Sequence, residues 1–516
     1  MAALRVPRLL TEAFAVLRAA RPRPSDLPAL ASLLRYSTTF AGAGLVAARR
    51  SPSAPVLVDH LGPLDGAGLV RAVDGMVPAL ARHGGRDGAG RVLVCAGDHR
   101  GLVVATLAAG VLGATATLVS PAAGIESLRA SARRARPDVV VHDATTADLV
   151  AAAGLAGPRL DALTVRPRPA GRRAARWPRP ARPGRLLLLT SGTTGPARAT
   201  ARGRVGPHAA VTAVSLLAAL GLRRGEPVLI APPLAHGHGL SALAAAFLVG
   251  APAVLASRGP ANGGVDLAAL AREHRVGALV AVPAQLARFL DAAGDVREDF
   301  PVLRRIATGS APLPSGLAAR TEECFGDVLV DFFGTSETGT ATVATAVDLR
   351  EAPGSVGRPV NGVRIEIVDD DGARVTPGTE GRVVVRSPWR AGDEGAGRVL
   401  EGGQGLAGGR LLTGDRGYLD AAGRLFLAGR ADDVVVVGGH NVRIGVVRRW
   451  LLDQPEVSSA VVRAVPHDSL GEVLVAEVAG GHCDPESLRQ RARMALGRAA
   501  APRVVRVVRR EADGLE

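Results

Sequence analysis

Short apolar runs alternate with Ala-rich segments from about residue 55 to 165, where Val56 to Asp59, Arg91 to Val94 and Asp138 to His142 read as strands. Alternating strands and helices predict a parallel sheet, because parallel neighbours need crossover connections. Arg91 to Ala96, Gly101 to Leu112 and Ala114 to Val119 read as strand, small-residue helix and strand. The uncharged stretch Gly101 to Gly124 has the length of a membrane span, but Gly and Thr dilute it and Pro121 ends it, so a buried βαβ unit is expected. Pro227 to Ser257, interrupted by Pro232, Pro233 and Pro252, reads as buried α/β core in the same way.

Further strands are predicted at Arg185 to Thr190, Val228 to Ala231, Ala278 to Val282, Arg304 to Thr308 and Val328 to Phe332, with a helix over Gly206 to Leu220. From Val360 the texture changes to short alternating strands with Gly turns, at Val363 to Val368, Gly381 to Arg386 and Gly423 to Leu427, which suggests a β-rich subdomain. After Gly429 a small α/β tail follows, with strands near Asp433 to Val437, Val457 to Val465 and Val473 to Val478. Residues 1 to about 55 form an Arg-rich helical lead whose first twenty residues look amphipathic and lack a signal-peptide core. The fold class is therefore α/β, and no internal repeat is visible.

Composition narrows the class. The 516 residues carry a net charge of +15, 47% apolar residues, 64 Gly and 3 Cys, which excludes a disordered chain, collagen and a disulfide scaffold. The sequence contains no lysine, so its basic charge is arginine, which binds phosphate and carboxylate well but cannot act as a neutral amine. Cys95, Cys324 and Cys483 are odd in number and widely spaced, which suggests neither a disulfide framework nor zinc and leads to the expectation of a reducing cytoplasm. Arg166 to Arg185 holds eight arginines and five prolines. It reads first as a solvated surface loop, second as a patch for nucleic acid or a peripheral contact with an anionic membrane. Trp177 stands alone there, so no specific nucleic-acid reading is expected.

The most informative segment is Leu186 to Arg198, LLLLTSGTTGPAR. An apolar strand runs into Thr190, Ser191, Gly192, Thr193, Thr194 and Gly195. Glycines let backbone N–H groups approach an anion, hydroxyls add donors without bulk, and Arg198 offers a cation, so the loop suits phosphate oxygens. The Walker pattern is absent, and an ordinary Ser/Thr/Gly turn is the plain alternative.

The string TSGTTG resembles the signature of the adenylate-forming enzymes, the superfamily of acyl-CoA synthetases, nonribosomal-peptide adenylation domains and luciferases. Other motifs follow in order: VPAQLARFL from Val282, ATGSAPL from Ala307, FGTSE from Phe333, LTGDRGYLD from Leu412 and the hinge-like GRADDVVVVGGHNV from Gly429. The N-terminal stretch looks most like bacterial long- or medium-chain acyl-CoA synthetase relatives. The resemblance implies a large N-terminal AMP-binding domain over residues 1–429, with parallel sheets and a β-rich subdomain, and a small mobile domain over 430–516.

It further implies that residues Thr190 to Gly195 hold the β- and γ-phosphates of ATP, with Thr193 catalytic. Phe333 would stack on adenine, with Gly334 and Ser336 beside the nucleotide and Gly309, Ser310 and Ala311 along the base edge. Glu337 would help hold Mg²⁺, a solvated loop acid being its plain alternative. Asp415 would accept bonds from the ribose hydroxyls, or be a turn former. Arg430 would reach ribose or phosphate, and Asp432 would sit at the hinge. His236, in PLAHGHGL, matches the histidine beside the acyl channel; with His238 it could be imagined as a metal pair, but no third ligand accompanies them. Leu240 to Val249 reads as a helix that could wall an acyl pocket or be ordinary core. The implied activity is ATP-dependent activation of a carboxylic acid, in the first instance a fatty acid, and transfer to CoA or to the phosphopantetheine of an acyl carrier protein.

Three departures qualify this. The lysine usual after the phosphate loop is Arg198, the acidic run after the hinge is Val446, Val447 and Arg448, and the near-terminal catalytic lysine falls at Leu515. Arg509 and Arg510 are the nearest compensating cations. The alternative reading is a catalytically degenerate regulator that binds nucleotide or acyl group without turnover.

Overall fold

The computed structural model describes residues 6–27, 29, 33, 36, 39–84, 90–169, 180, 184–192, 195–202, 207–256, 265–294, 297–335, 338–388, 405–406, 410–430, 434–437, 440–467, 471–481, 483–497 and 500–508. Strands are numbered in chain order. A nine-stranded sheet runs β15 (Arg358–Pro359), β14 (Gly339–Thr345), β13 (Leu329–Thr335), β12 (Arg305–Gly309), β11 (Ala278–Val280), β9 (Val228–Ile230), β10 (Ala253–Leu255), β1 (Pro55–Asp59), β2 (Gly62–Asp65). From β13 to β1 every neighbour is parallel; β14, β15 and β2 close the edges antiparallel.

A six-stranded sheet follows the order β6 (Arg159–Asp161), β5 (Val139–His142), β3 (Arg91–Val94), β4 (Thr115–Leu118), β7 (Arg185–Gly192), β8 (Gly195–Arg202). β3 and β4 pair in parallel across the helix Arg100–Leu112, whose residues 101–111 are all buried. The βαβ reading of the Gly101 stretch therefore holds, and no helix among the described residues is long and apolar enough to cross a membrane. Between the two sheets lies one continuous core that includes Leu57, Val94, Leu107, Ile230, Leu243, Phe247 and Val330. A second core, with Phe289, Phe300 and Phe325 in mutual ring contact, fills the other face of the larger sheet.

The β-rich subdomain is β16 (Arg364–Val368), β17 (Gly381–Arg386), β19 (Arg410–Leu419) and β18 (Gly405–Leu406), with β20 (Leu425–Arg430) also on β19. The small C-terminal domain has its own sheet, β22 (His440–Arg443), β21 (Val434–Val437), β24 (Gly471–Ala479), β23 (Ser459–His467), with β25 (Val504–Val507) beside β24, and its own core around Val447, Leu451 and Leu488. Most of the Arg166 to Arg185 stretch lies outside the described residues.

The helical lead does more than its sequence suggested. Helix Thr39–Arg50 is buried along most of its length and packs on the helix Gly237–Val249. The buried Asp26 carboxylate receives Arg50 at 3.1 Å and Arg224 at 2.9 Å, fastening the lead to the core.

Candidate functional site

In a parallel sheet all carboxyl ends open to one side, and ligands bind in the crevice outside them. Here that rim collects the segments after β9, β11, β12 and β13, and with them the PLAHGHGL, VPAQLARFL, ATGSAPL and FGTSE motifs.

β12 ends at Gly309, opposite Phe332 on β13. A Cβ at Gly309 would lie 2.5 Å from the Phe332 carbonyl oxygen, so only glycine lets the two strands stay this close. The next residue, Ser310, takes φ +69°, in the left-handed region that non-glycine residues avoid. That turn aims its hydroxyl at His238 Nδ1, 3.2 Å away. His238 lies in the first turn of the helix Gly237–Val249, whose N-cap is His236. Gly239 in that turn has no room for a Cβ beside the Pro232 and Pro233 carbonyls, so the helix start is pressed onto the loop leaving β9. Burial pushes the His238 imidazole down to about 4 and lowers His236 as well, so both rings are neutral at pH 7. Ala311 is exposed on the rim.

β13 was expected to end at Phe332, but it runs on to Thr335, so Phe333 and Gly334 are strand residues. Phe333 is half-buried, and Gly334 abuts the Gly339 carbonyl, where a side chain could not fit. The Thr335 N–H donates to Thr338 Oγ1 at 3.1 Å, and the Thr338 N–H to Thr335 Oγ1 at 3.2 Å; Ser336 and Glu337 lie outside the described residues.

Sequence reasoning missed Asp331. It is buried, shares a strand face with Phe333 two residues on, and pairs with Thr308 of β12. Neither Asp331 Oδ1 nor Thr308 Oγ1 has a hydrogen-bond partner among the described residues, and burial pushes the Asp331 carboxyl up to about 7. The signal was an acid inside the apolar run LVDFF.

The phosphate-loop motif forms a hairpin of the six-stranded sheet rather than a loop after a short strand. β7 continues through Thr190, Ser191 and Gly192, and β8 starts at Gly195, with Thr190 opposite Arg198 and Gly192 opposite Gly195. Thr193 and Thr194 lie outside the described residues. Asp415 lies mid-strand in β19, which removes the turn-former reading, and pairs with Arg430 of β20. Three groups are thus carried on three sheets: Gly309, Ser310, His238 and Phe333 at the rim, residues 190–198 on the hairpin, and Asp415 with Arg430 in the β-rich subdomain. Asp432, Leu515, Arg509 and Arg510 lie outside the described residues.

A second missed feature lies just beyond β3 and β5 in the six-stranded sheet. His99 Nδ1 accepts the Gly101 N–H at 3.0 Å, which leaves the ring proton on Nε2 to donate to Asp143 at 2.8 Å. Asp143 also accepts from the N–H groups of Gly97, Thr145 and Thr146 and from the Thr145 hydroxyl; against its burial, the bonds from His99, the Thr145 hydroxyl and Gly97 hold its carboxyl well below the usual range. Asp59 grips Arg100 through both carboxylate oxygens. At the domain junction Glu380 takes both Arg416, at 3.3 Å, and Arg443 of the small domain.

Residues 46–392 match the family model described as AMP-binding enzyme. The chain is 31% identical over 307 residues to the fatty acid–[acyl-carrier-protein] ligase ScoC of Streptomyces coeruleorubidus, covering 56% of each chain. The alignments to curated relatives of this kind span about half of their length. Among solved structures, the amide bond synthetase McbA of Marinactinospora thermotolerans superposes with a TM-score of 0.73 at 25% identity, over 91% of this chain and 96% of that one. The o-succinylbenzoate CoA synthetase of Bacillus subtilis gives 0.74 at 24% identity, over 91% and 94%, a likeness of fold. With two thirds of the chain under one family model and the fold shared over 91% of its length, this protein is a member of the AMP-binding enzyme family.

Proposed function

We propose that this chain uses ATP to activate a carboxylic acid and passes the acyl group to the thiol of CoA or of a carrier-bound phosphopantetheine. A carboxylate oxygen attacks the α-phosphorus, the new acyl–oxygen–phosphorus bond forms, and pyrophosphate leaves with the electrons of the broken bridge. A thiolate then attacks the acyl carbon, and AMP leaves.

The observation that carries the reading is the pair of unpartnered atoms on Asp331 and Thr308, on the strand face that also bears Phe333. An aromatic face beside an acceptor and a hydroxyl, at the carboxyl ends of a parallel sheet, fits a purine with an exocyclic amine. Neutral His238 and the Ser310 hydroxyl add polar groups without charge where the acid would approach. Among the described residues no three His, Cys, Asp or Glu side chains converge as a metal site. Glu337 with the phosphates would hold Mg²⁺ in the usual nucleotide manner, and the ion would offset phosphate charge. Thr190 to Gly195 and Arg198 would grip the phosphates, Asp415 the ribose, and Arg430 the ribose or phosphate.

A domain division at about residue 430 and a cytoplasmic location belong to the same proposal; that no disulfide joins Cys95, Cys324 and Cys483 accords with the latter. A fatty acid is the favoured substrate, and leucine at position 515 should weaken the first half-reaction about a hundredfold or more, since a cation there would neutralise developing charge. Carboxylate-dependent ATP–pyrophosphate exchange over a panel of fatty and aryl acids tests the proposal. Exchange with one acid class supports it; tight ATP binding with no exchange on any acid selects the regulator instead.

A further inference from the structure

The amino-terminal helix Val6–Ala20 presents apolar side chains to solvent on its outer face. Leu10 is 66% exposed, Phe14 68% and Leu17 57%. At 100° per residue these three fall within about 60° of arc, a continuous stripe along the helix. The half-buried face of the helix, which includes Leu9, Glu12, Ala13 and Val16, is already turned to the protein: the helix packs on the helix Pro207–Leu220, and Glu12 bonds to Ser215 there. A surface helix ordinarily turns polar residues outward, so this stripe is an unpartnered face.

The charges around it say what covers it. Glu12 is the one acid among the first 25 residues, and it points inward: its carboxylate takes Arg8 at 2.9 Å, Asn361 Nδ2 at 2.7 Å and the Ser215 hydroxyl. Asp26 is buried under Arg50 and Arg224. Arg18, Arg21 and Arg23 are exposed at the end of the stripe, and the helix Pro207–Leu220 beneath it contains no acid. Exposed leucines and a phenylalanine flanked by arginines, with both of these carboxylates turned inward or neutralised, complement an anionic lipid surface.

We propose that the helix Val6–Ala20 docks this protein on anionic membranes, with Leu10, Phe14 and Leu17 entering the acyl boundary and Arg18, Arg21 and Arg23 at the phosphate level. This surface stands on the opposite side of its helix from the core and does not depend on the proposed reaction.

Co-sedimentation of the full chain with vesicles of phosphatidylcholine, with and without phosphatidylglycerol, tests it. The protein is expected to pellet with the anionic vesicles at low salt and to be released by added salt. The triple change Leu10→Ser, Phe14→Ser, Leu17→Ser should lower the partition coefficient at least tenfold with an unchanged melting temperature. The second triple, Arg18→Gln, Arg21→Gln, Arg23→Gln, leaves the stripe intact and should weaken binding to anionic vesicles alone. Wild-type protein that stays in the supernatant with both vesicle types, or a serine variant that binds as wild type, overturns the proposal. So does a wild-type dimer that the serine variant converts to monomer without any vesicle binding, which would assign the face to a second copy of the chain.

Discussion

Asp98 accepts the backbone N–H of Leu234 at 2.7 Å, tying the segment that leaves β3 in one sheet to the loop that delivers His236 and His238 at the rim of the other. Burial pushes the Asp98 carboxyl up to about 6, against the Leu234 bond, which lowers it.

That latch has a pH signature. Because the folded value lies above the ordinary one near 4, the native state binds the extra proton between them, and stability falls as pH rises from about 4 to about 6. Asp98→Asn keeps an acceptor for Leu234 and removes the titration, so melts at pH 4, 5, 6 and 7 should show the variant gaining on wild type up to about pH 6. Parallel curves contradict the assignment. Asp98→Ala orphans the Leu234 N–H and should cost about 1–3 kcal/mol.

Asp143 is the acceptor for three backbone N–H groups and His99 Nε2. Asp143→Ala leaves buried donors unpaired and should destabilise the protein by about 3–5 kcal/mol in urea unfolding. A loss under about 1 kcal/mol would contradict a structural role for the network.

Ser310 holds a backbone conformation that glycine adopts without strain, yet its hydroxyl meets His238. Ser310→Gly should match or exceed wild-type stability, by up to about 1 kcal/mol, while carboxylate-dependent exchange falls. Ser310→Ala keeps the strain, loses the hydroxyl, and should fall in both. Full activity in the glycine variant would assign the hydroxyl no part in the reaction.

Leu515→Lys places a cation where the resemblance aligns the near-terminal lysine. It should raise pyrophosphate exchange sharply, on the order of a hundredfold. No change would count against that alignment.

Much of the framework was legible because strand and helix periods differ. Arg91 to Val94 and Gly381 to Arg386 appear as strands with the predicted bounds, and the Gly101 stretch was separated from a membrane span by its Pro121 stop. Strand ends were less legible. β13 runs past Phe332 because β14 pairs with it through Thr335, and β7 runs past Thr190 because β8 folds back on it; neither hairpin partner was predicted. Asp331, Asp98 and Asp143 escaped because their roles are set by neighbours distant in sequence, as when Asp98 meets Leu234. The outward stripe at Leu10, Phe14 and Leu17 also needed the packing, since two apolar faces in one helix look alike until one is covered.

The central claim is that one site at the rim, with Phe333 beside Asp331, binds the adenine nucleotide. Calorimetric titration of Mg–ATP into wild type and Phe333→Ala tests it most directly. The account predicts one ATP per wild-type chain and at least tenfold weaker binding in the variant; no heat from wild type, or equal affinity in both, would contradict it.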